Sequence, residues 1–190
     1  MAIITTTQCS QYSNISASAA TIVASGLIPV VQENITMMTN NYFLTDLDLQ
    51  DAMIFNATAR TIVAVNSWET YNFLADDDIF VYNSYRNDGY YTVNTVSTKT
   101  ITLATGATVV AELSGRSILV SVVKWPVAVQ RVAALMVAYD YDIREKSAAN
   151  IKSHSLGPFR ETFTDGEKDE WGYPLKITNM LTDYKIARLM

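Results

Sequence analysis

One cysteine, Cys9, and one histidine, His154, are all that this chain of 190 residues has of the two residue types most used for metal binding and nucleophilic catalysis. A lone cysteine excludes an intramolecular disulfide and any zinc site built on several thiolates, and it reads as a small apolar residue. A lone histidine excludes a multi-imidazole zinc site and leaves a single base for any serine triad. Ser153 and Ser155 flank it, but neighbours on an extended strand point to opposite faces, and no G-x-S-x-G elbow is present. The phosphate-cradling patterns G-x-x-x-x-G-K-[ST] and G-x-G-x-x-G are missing as well.

Charge is scarce, at 17% of residues, and it is weighted to acid, with a net charge of −5. The basic residues are scattered, so electrostatics offers no ground for tight binding of nucleic acid, although DNA can pass such a surface without sticking. No run approaches the ~18–20 apolar residues of a membrane span. The opening "MAIITTTQCSQYS" has neither a basic residue nor an apolar stretch of signal-peptide length. The expectation is a soluble product of the cytoplasm with no membrane partner. Hydrophobic residues make up 49%, ample for one packed domain or for one domain carrying a smaller insertion.

The carboxylates form no calcium-loop pattern. Asp76, Asp77 and Asp78 precede a strand-like run, where alternation keeps all three from converging, and they read as a solvated turn. Asp46, Asp48 and Asp51 fall in a short linker, where capping or solubility accounts for them. The expectation is no metal, no cofactor and no catalytic residue, and a protein that is not an enzyme.

What is present falls into three stretches. Residues 1–41 read as helical, with Thr5 or Thr6 capping a short first helix and then Val23, Leu27, Val30, Val31, Ile35 and Met38 recurring at helical spacing. Pro29 lies inside that pattern, and a kink there is the preferred reading over a break near Gly26. From about Asp51 to Val123, short runs rich in Val, Ile, Thr and Tyr alternate in the manner of strands, among them "DIFVYN", "YYTVNTV" and "SILVSVV". Asn87-Asp88-Gly89 supplies residues that tolerate positive φ between two of the runs, with further reversals at Thr105-Gly106 and Ser114-Gly115. Tyrosines crowd that turn, and Tyr85, Asn87, Asp88 and Tyr90 make a candidate contact surface for sugar or protein.

Helix returns at Trp125-Pro126, with Val132, Leu135, Met136, Tyr139 and Ile143 as its stripe, an Asp140–Arg144 pair and an end near Asn150. A last helix starts at Pro174 and sets Ile177, Met180, Leu181 and Tyr184 on one face. The expected fold is therefore α+β. A helical domain of three to four helices, residues 1–50 and 125–190, is interrupted by a small inserted antiparallel β-barrel or sandwich at 51–124.

Two stretches resemble known proteins. From Val127 to Met190 the chain looks like the C-terminal half of the head–tail connector (adaptor) proteins of tailed bacteriophages and gene transfer agents. Those end with a long helix, a strand of the form basic-Ser-acid-x-Leu/Ile-Gly, a loop, and a Tyr-Pro start to a final helix. Lys152, Ser153, Leu156 and Gly157 fit, as do Tyr173 and Pro174; His154 stands where an acid is usual, and Pro158 where a small polar residue is common. From Phe73 to Leu103 the chain is similar to a small β domain that recurs in phage virion proteins, marked by an acid-Ile-x-Val strand and Asn-Asp-Gly-x-Tyr-Thr-Val.

The resemblance implies a structural protein of the virion neck, made in the host cytoplasm. It would form a ring, usually of about twelve copies, beneath the portal. Such a ring extends the channel for passing double-stranded DNA, without sequence-specific binding, and receives the stopper or tail protein. The strand Ile151, Lys152, Ser153, His154, Ser155, Leu156 and Gly157 would then lie between subunits. The tail Lys185, Ile186, Ala187, Arg188, Leu189 and Met190 would dock into the portal, since it is terminal, apolar and basic. Two other readings stand beside it: a tail-completion or stopper protein, and a glycan-binding module using the tyrosine-rich hairpin.

Overall fold

The computed structural model describes residues 2–12, 15, 19–113, 117–141, 153–156, 159–162 and 168–187, with backbone only for 153–156 and 159–162. The chain divides into two compact units, Tyr42–Lys124 and Ala2–Asn41 with Trp125–Met190.

Tyr42–Lys124 is a closed antiparallel barrel. Its strands are β1 (Leu44–Asn56), β2 (Thr61–Ala64), β3 (Asp78–Tyr82), β4 (Gly89–Val96), β5 (Thr100–Leu103) and β6 (Ser117–Val123), in the order β1-β2-β5-β4-β3-β6. Closure leaves no unpaired edge, which is how a short-stranded sheet avoids pairing with other chains. Alternation fills the interior: Leu49, Met53 and Phe55 from β1, Ile79 and Val81 from β3, and Ile118 and Val120 from β6 are all buried. Asp48 and Gln50, exposed on β1, stand in register with Ser121 and Leu119 of β6.

This overturns the expected fold class. The described chain is mostly β, built around a six-stranded barrel, with one long helical run and otherwise mainly short helices, and it is not a helical connector domain with a β insertion. The barrel takes in Leu44–Gln50, which the sequence reading had placed in the helical part. The alternation there is masked because Asp46, Asp48 and Gln50 face outward and the half-inward Asp51 is itself an acid, so "LTDLDLQDAMIFN" passes for a polar linker although every second residue from Leu49 to Phe55 faces inward or half inward.

The other unit holds the helices. Thr5 caps α1 (Thr6–Cys9) in a capping box with Gln8. α2 (Ala20–Ile22) runs through one π turn, Val23–Leu27, into α3 (Ile28–Thr39). That π turn is how the helix accommodates Pro29. The Ile28 N–H reaches back five residues to the Val23 carbonyl, and the run continues without the alternative break near Gly26. One extra residue also rotates the buried face. Val23, Ile28, Val31 and Ile35 point inward, while Val30, expected on that face, is 50% exposed.

Pro126 caps α4 (Val127–Tyr139), whose buried residues run from Val129 to Ala138. Ile143, Arg144 and the expected helix end near Asn150 lie outside the described residues. β7 (Ser153–Leu156) and β8 (Phe159–Thr162) form a two-stranded sheet. Tyr173 and Pro174 lead into α5 (Leu175–Thr178), a single turn that tightens to a 3₁₀ helix over Asn179–Tyr184. Tightening breaks the expected apolar face: Ile177 and Leu181 are buried, Tyr184 is half-buried, and Met180 is turned out.

Cys9 is fully buried, and burial pushes its thiol up from 9.0 to about 11. The neutral thiol is thus the form the fold prefers. Its contribution is complete below pH 9.0 and is lost as pH rises towards about 11. Raising the pH through that window should cost wild type about 1–2 kcal/mol more than Cys9→Ala, read from urea midpoints at each pH. Parallel pH profiles for the two proteins would rule this out.

Candidate functional site

The tyrosine-rich turn is the natural place to begin, because three elements of the barrel converge on it. β3 ends at Tyr82 and β4 begins at Gly89, so Asn83–Asp88 is a six-residue loop and not a tight two-residue turn. Positive φ falls at Asn83 (70°) and Gly89 (147°), and not at Asn87 or Asp88. Asn87 is 1% exposed. Its Nδ2 donates to the Val110 carbonyl at 3.0 Å and to Glu112 Oε2 at 3.0 Å, while its Oδ1 accepts from the Val110 N–H at 2.8 Å.

Glu112 is itself buried, and its Oε1 accepts from the Tyr85 N–H at 3.0 Å. Asp88 Oδ1 accepts from the Ser84 N–H at 2.6 Å and from Ser84 Oγ at 2.8 Å. Ser84 Oγ accepts in turn from the Asn87 N–H, and Tyr91 donates to the Asn87 carbonyl. The loop is thus stapled to the 110–112 segment by a polar network that consumes the side chains a ligand would need.

Of the four residues expected to make the contact surface, the structure therefore buries one and ties down a second that stays exposed. Asn87 is buried, and the Asp88 carboxylate is held by Ser84. Tyr90 packs across the strand pair on Phe80, with ring centroids 4.8 Å apart, and Tyr42 covers the same ring at 4.6 Å. Tyr85 is 71% exposed and Tyr82 56%, so aromatic surface is what the hairpin offers to solvent. Sequence reading missed Glu112 and Ser84. The signal for Glu112 was an acid inside the apolar run "TVVAEL".

The aspartates serve as turn and strand supports. Asp77 Oδ2 accepts from the Leu74 N–H at 2.7 Å, and Asp78 Oδ1 from Thr92 Oγ1 at 2.9 Å. Burial pushes the Asp78 carboxyl up, with the Thr92 hydrogen bond pulling the other way. Asp51, read as a linker residue, accepts from the Ala52 and Asn66 N–H groups, each at 2.7 Å. Among the described residues no three His, Cys, Asp or Glu side chains are grouped to hold a metal ion.

The other two candidate segments belong to the helix-bearing unit. Ser153, His154, Ser155 and Leu156 form β7, in register with Thr162, Glu161, Arg160 and Phe159; Ile151, Lys152 and Gly157 lie outside the described residues. No third strand joins this sheet among the described residues, so each strand has one edge without a strand partner. In the tail, Lys185, Ile186 and Ala187 are exposed, and Arg188, Leu189 and Met190 lie outside the described residues. The Ile186 N–H donates to the Thr39 carbonyl at 2.8 Å, so the segment is tied to the end of α3. Searches against protein families and curated proteins return no match to this chain.

Proposed function

We propose that this chain is a structural protein of the neck of a tailed bacteriophage or gene transfer agent, a head–tail connector that assembles as a ring at the portal vertex. In that role it extends the DNA channel and presents the surface to which the stopper or tail attaches. The expected helical architecture has no part in the argument, since the barrel replaces it. The observation that carries the reading is the β7–β8 sheet. It holds the Ser153–Leu156 part of the connector-like motif, and a two-stranded sheet gains most from further strands added at its edges. The exposed segment Lys185, Ile186 and Ala187 supports a second contact, with the portal.

The dominance of the barrel favours one other reading within the same class, a tail-completion or stopper protein that meets the ring on the side away from the portal. The glycan-binding reading loses the Asn87 amide to its bonds with Glu112 and Val110.

Light scattering and negative-stain imaging of the purified protein, alone and mixed with portal assemblies or with tails, test the proposal. Closed rings of about twelve copies that decorate portals are expected. A monomer that binds neither portals nor tails would end the virion reading, and capture by tails alone would favour the stopper. His154→Ala should leave the rings intact and change stability by about 1 kcal/mol or less. Deleting residues 185–190 should leave a soluble chain with an unchanged circular dichroism spectrum that portals no longer capture. Undiminished capture would place portal contact elsewhere.

A further inference from the structure

We propose that Tyr184–Ile186 is an intramolecular strap across the end of α3, and that a partner taking the C-terminal tail must first release it. The inference rests on the tail-docking part of the reading above. It starts from an unfinished helix end. The last carbonyls of a helix have no donors within it and must find them elsewhere. Asn40, in the left-handed region at φ 50°, turns its own N–H and that of Asn41 back to the Thr36 carbonyl. The Thr39 carbonyl takes its donor from the far end of the chain, the Ile186 N–H at 2.8 Å.

Two further hydrogen bonds run in the opposite direction. Asn40 Nδ2 donates to the Ile186 carbonyl at 3.5 Å, and Asn41 Nδ2 donates to the Tyr184 carbonyl at 3.2 Å. Lys185 between them is extended, at φ −73° and ψ 125°. All three bonds grip the tail by its backbone. The side chains of Lys185 and Ile186 stay exposed, Ile186 at 54%. One segment therefore has its backbone engaged within the chain while its charge and its apolar side chain are presented outward. A partner can read those side chains on encounter, but it can enclose the segment only after the backbone lets go.

Competition of this kind has a defined consequence. If the tail is released only part of the time, its apparent affinity for a partner falls by that fraction, and loosening the strap restores it. Asn40→Gly keeps the left-handed cap and removes one amide, and Asn41→Ala removes the other. The double variant leaves the tail sequence untouched. Asn41→Ala alone is the milder second route, since it removes the bond to the Tyr184 carbonyl and keeps Asn40.

Amide hydrogen exchange on the full-length chain should show the Ile186 N–H protected by about tenfold or more over a free peptide, with protection lost in N40G/N41A. The same variant should bind portal assemblies about tenfold more tightly than wild type. Free-peptide exchange at Ile186 in wild type would overturn the strap, whatever the portal result. Protected exchange with equal portal affinity for wild type, N40G/N41A and N41A would overturn the release step. Protected exchange with no capture of any of the three by portals would overturn the tail-docking reading and the release step together.

Discussion

Asn87→Ala should destabilise the barrel by about 3 kcal/mol, in the range reserved for breaking a buried polar network. The substitution strands a buried carboxylate and two backbone groups at once: Glu112 Oε2 and the Val110 carbonyl lose their donor, and the Val110 N–H loses its acceptor. Asn87→Asp separates this from simple loss of volume. It preserves the shape, but it deletes the donor and sets a second carboxylate against Glu112, so it should fall in the same range. Tyr85→Ala, at a side chain 71% exposed, should cost less than about 1 kcal/mol. Urea unfolding of the three variants decides the matter. A neutral Asn87→Ala beside a costly Tyr85→Ala would reverse the roles assigned here and return Asn87 to the list of contact residues.

Trp68→Ala should be costlier still, about 4 kcal/mol, against the 5–15 kcal/mol that holds a typical domain together. Trp68 is 0% exposed within the barrel core, edge-on to Phe73 with ring centroids 5.0 Å apart at 84°. It is also a backbone clamp. Its Nε1 donates to the Lys99 carbonyl at 3.1 Å and its own N–H to the Thr98 carbonyl at 2.9 Å, holding the β4–β5 turn against the end of β2. Trp68→Phe keeps much of the volume and loses only the indole donor, and the Lys99 carbonyl still accepts from the Ala64 N–H, so it should cost about 1–2 kcal/mol, one lost hydrogen bond plus a small void. The readout is the urea midpoint together with the near-ultraviolet circular dichroism of the aromatic core. Equal stability of wild type and Trp68→Ala would mean that the residue is not part of the core.

Neither residue stood out in the sequence for the role it plays. Asn87 was conspicuous, but as a turn residue, because an asparagine between strand-like runs signals positive φ. Whether its side chain points out to a ligand or in to Glu112 depends on residues 23 and 25 positions away, and spacing along the chain carries no trace of that. Trp68 sits in "NSWETYN", a polar stretch whose local pattern says surface; only the closure of the barrel over it makes it core.

Local physics was legible. The Thr5 cap, Pro126 and Pro174 at helix starts and the strand runs "TIVAV", "DIFVYN", "YYTVNTV", "KTITLAT" and "SILVSVV" each follow from a few adjacent residues and a single stereochemical rule, whereas "TVVAEL", which reads as a strand too, makes only an isolated bridge from Glu112 to Phe55. Such features depend on contacts within one turn or one strand, so the amino-acid sequence by itself determines them. The balance of the fold was not legible in the same way. Closing β1 onto β6 pairs Gln50 with Leu119, and it is that pairing which makes Leu44–Asn56 a strand with Asp46 and Asp48 outside rather than a linker. The π turn before Pro29 and the tie between Ile186 and Thr39 are likewise answers to backbone groups left unsatisfied by local structure. Which distant group satisfies them is decided by packing, and only the tertiary structure holds that choice.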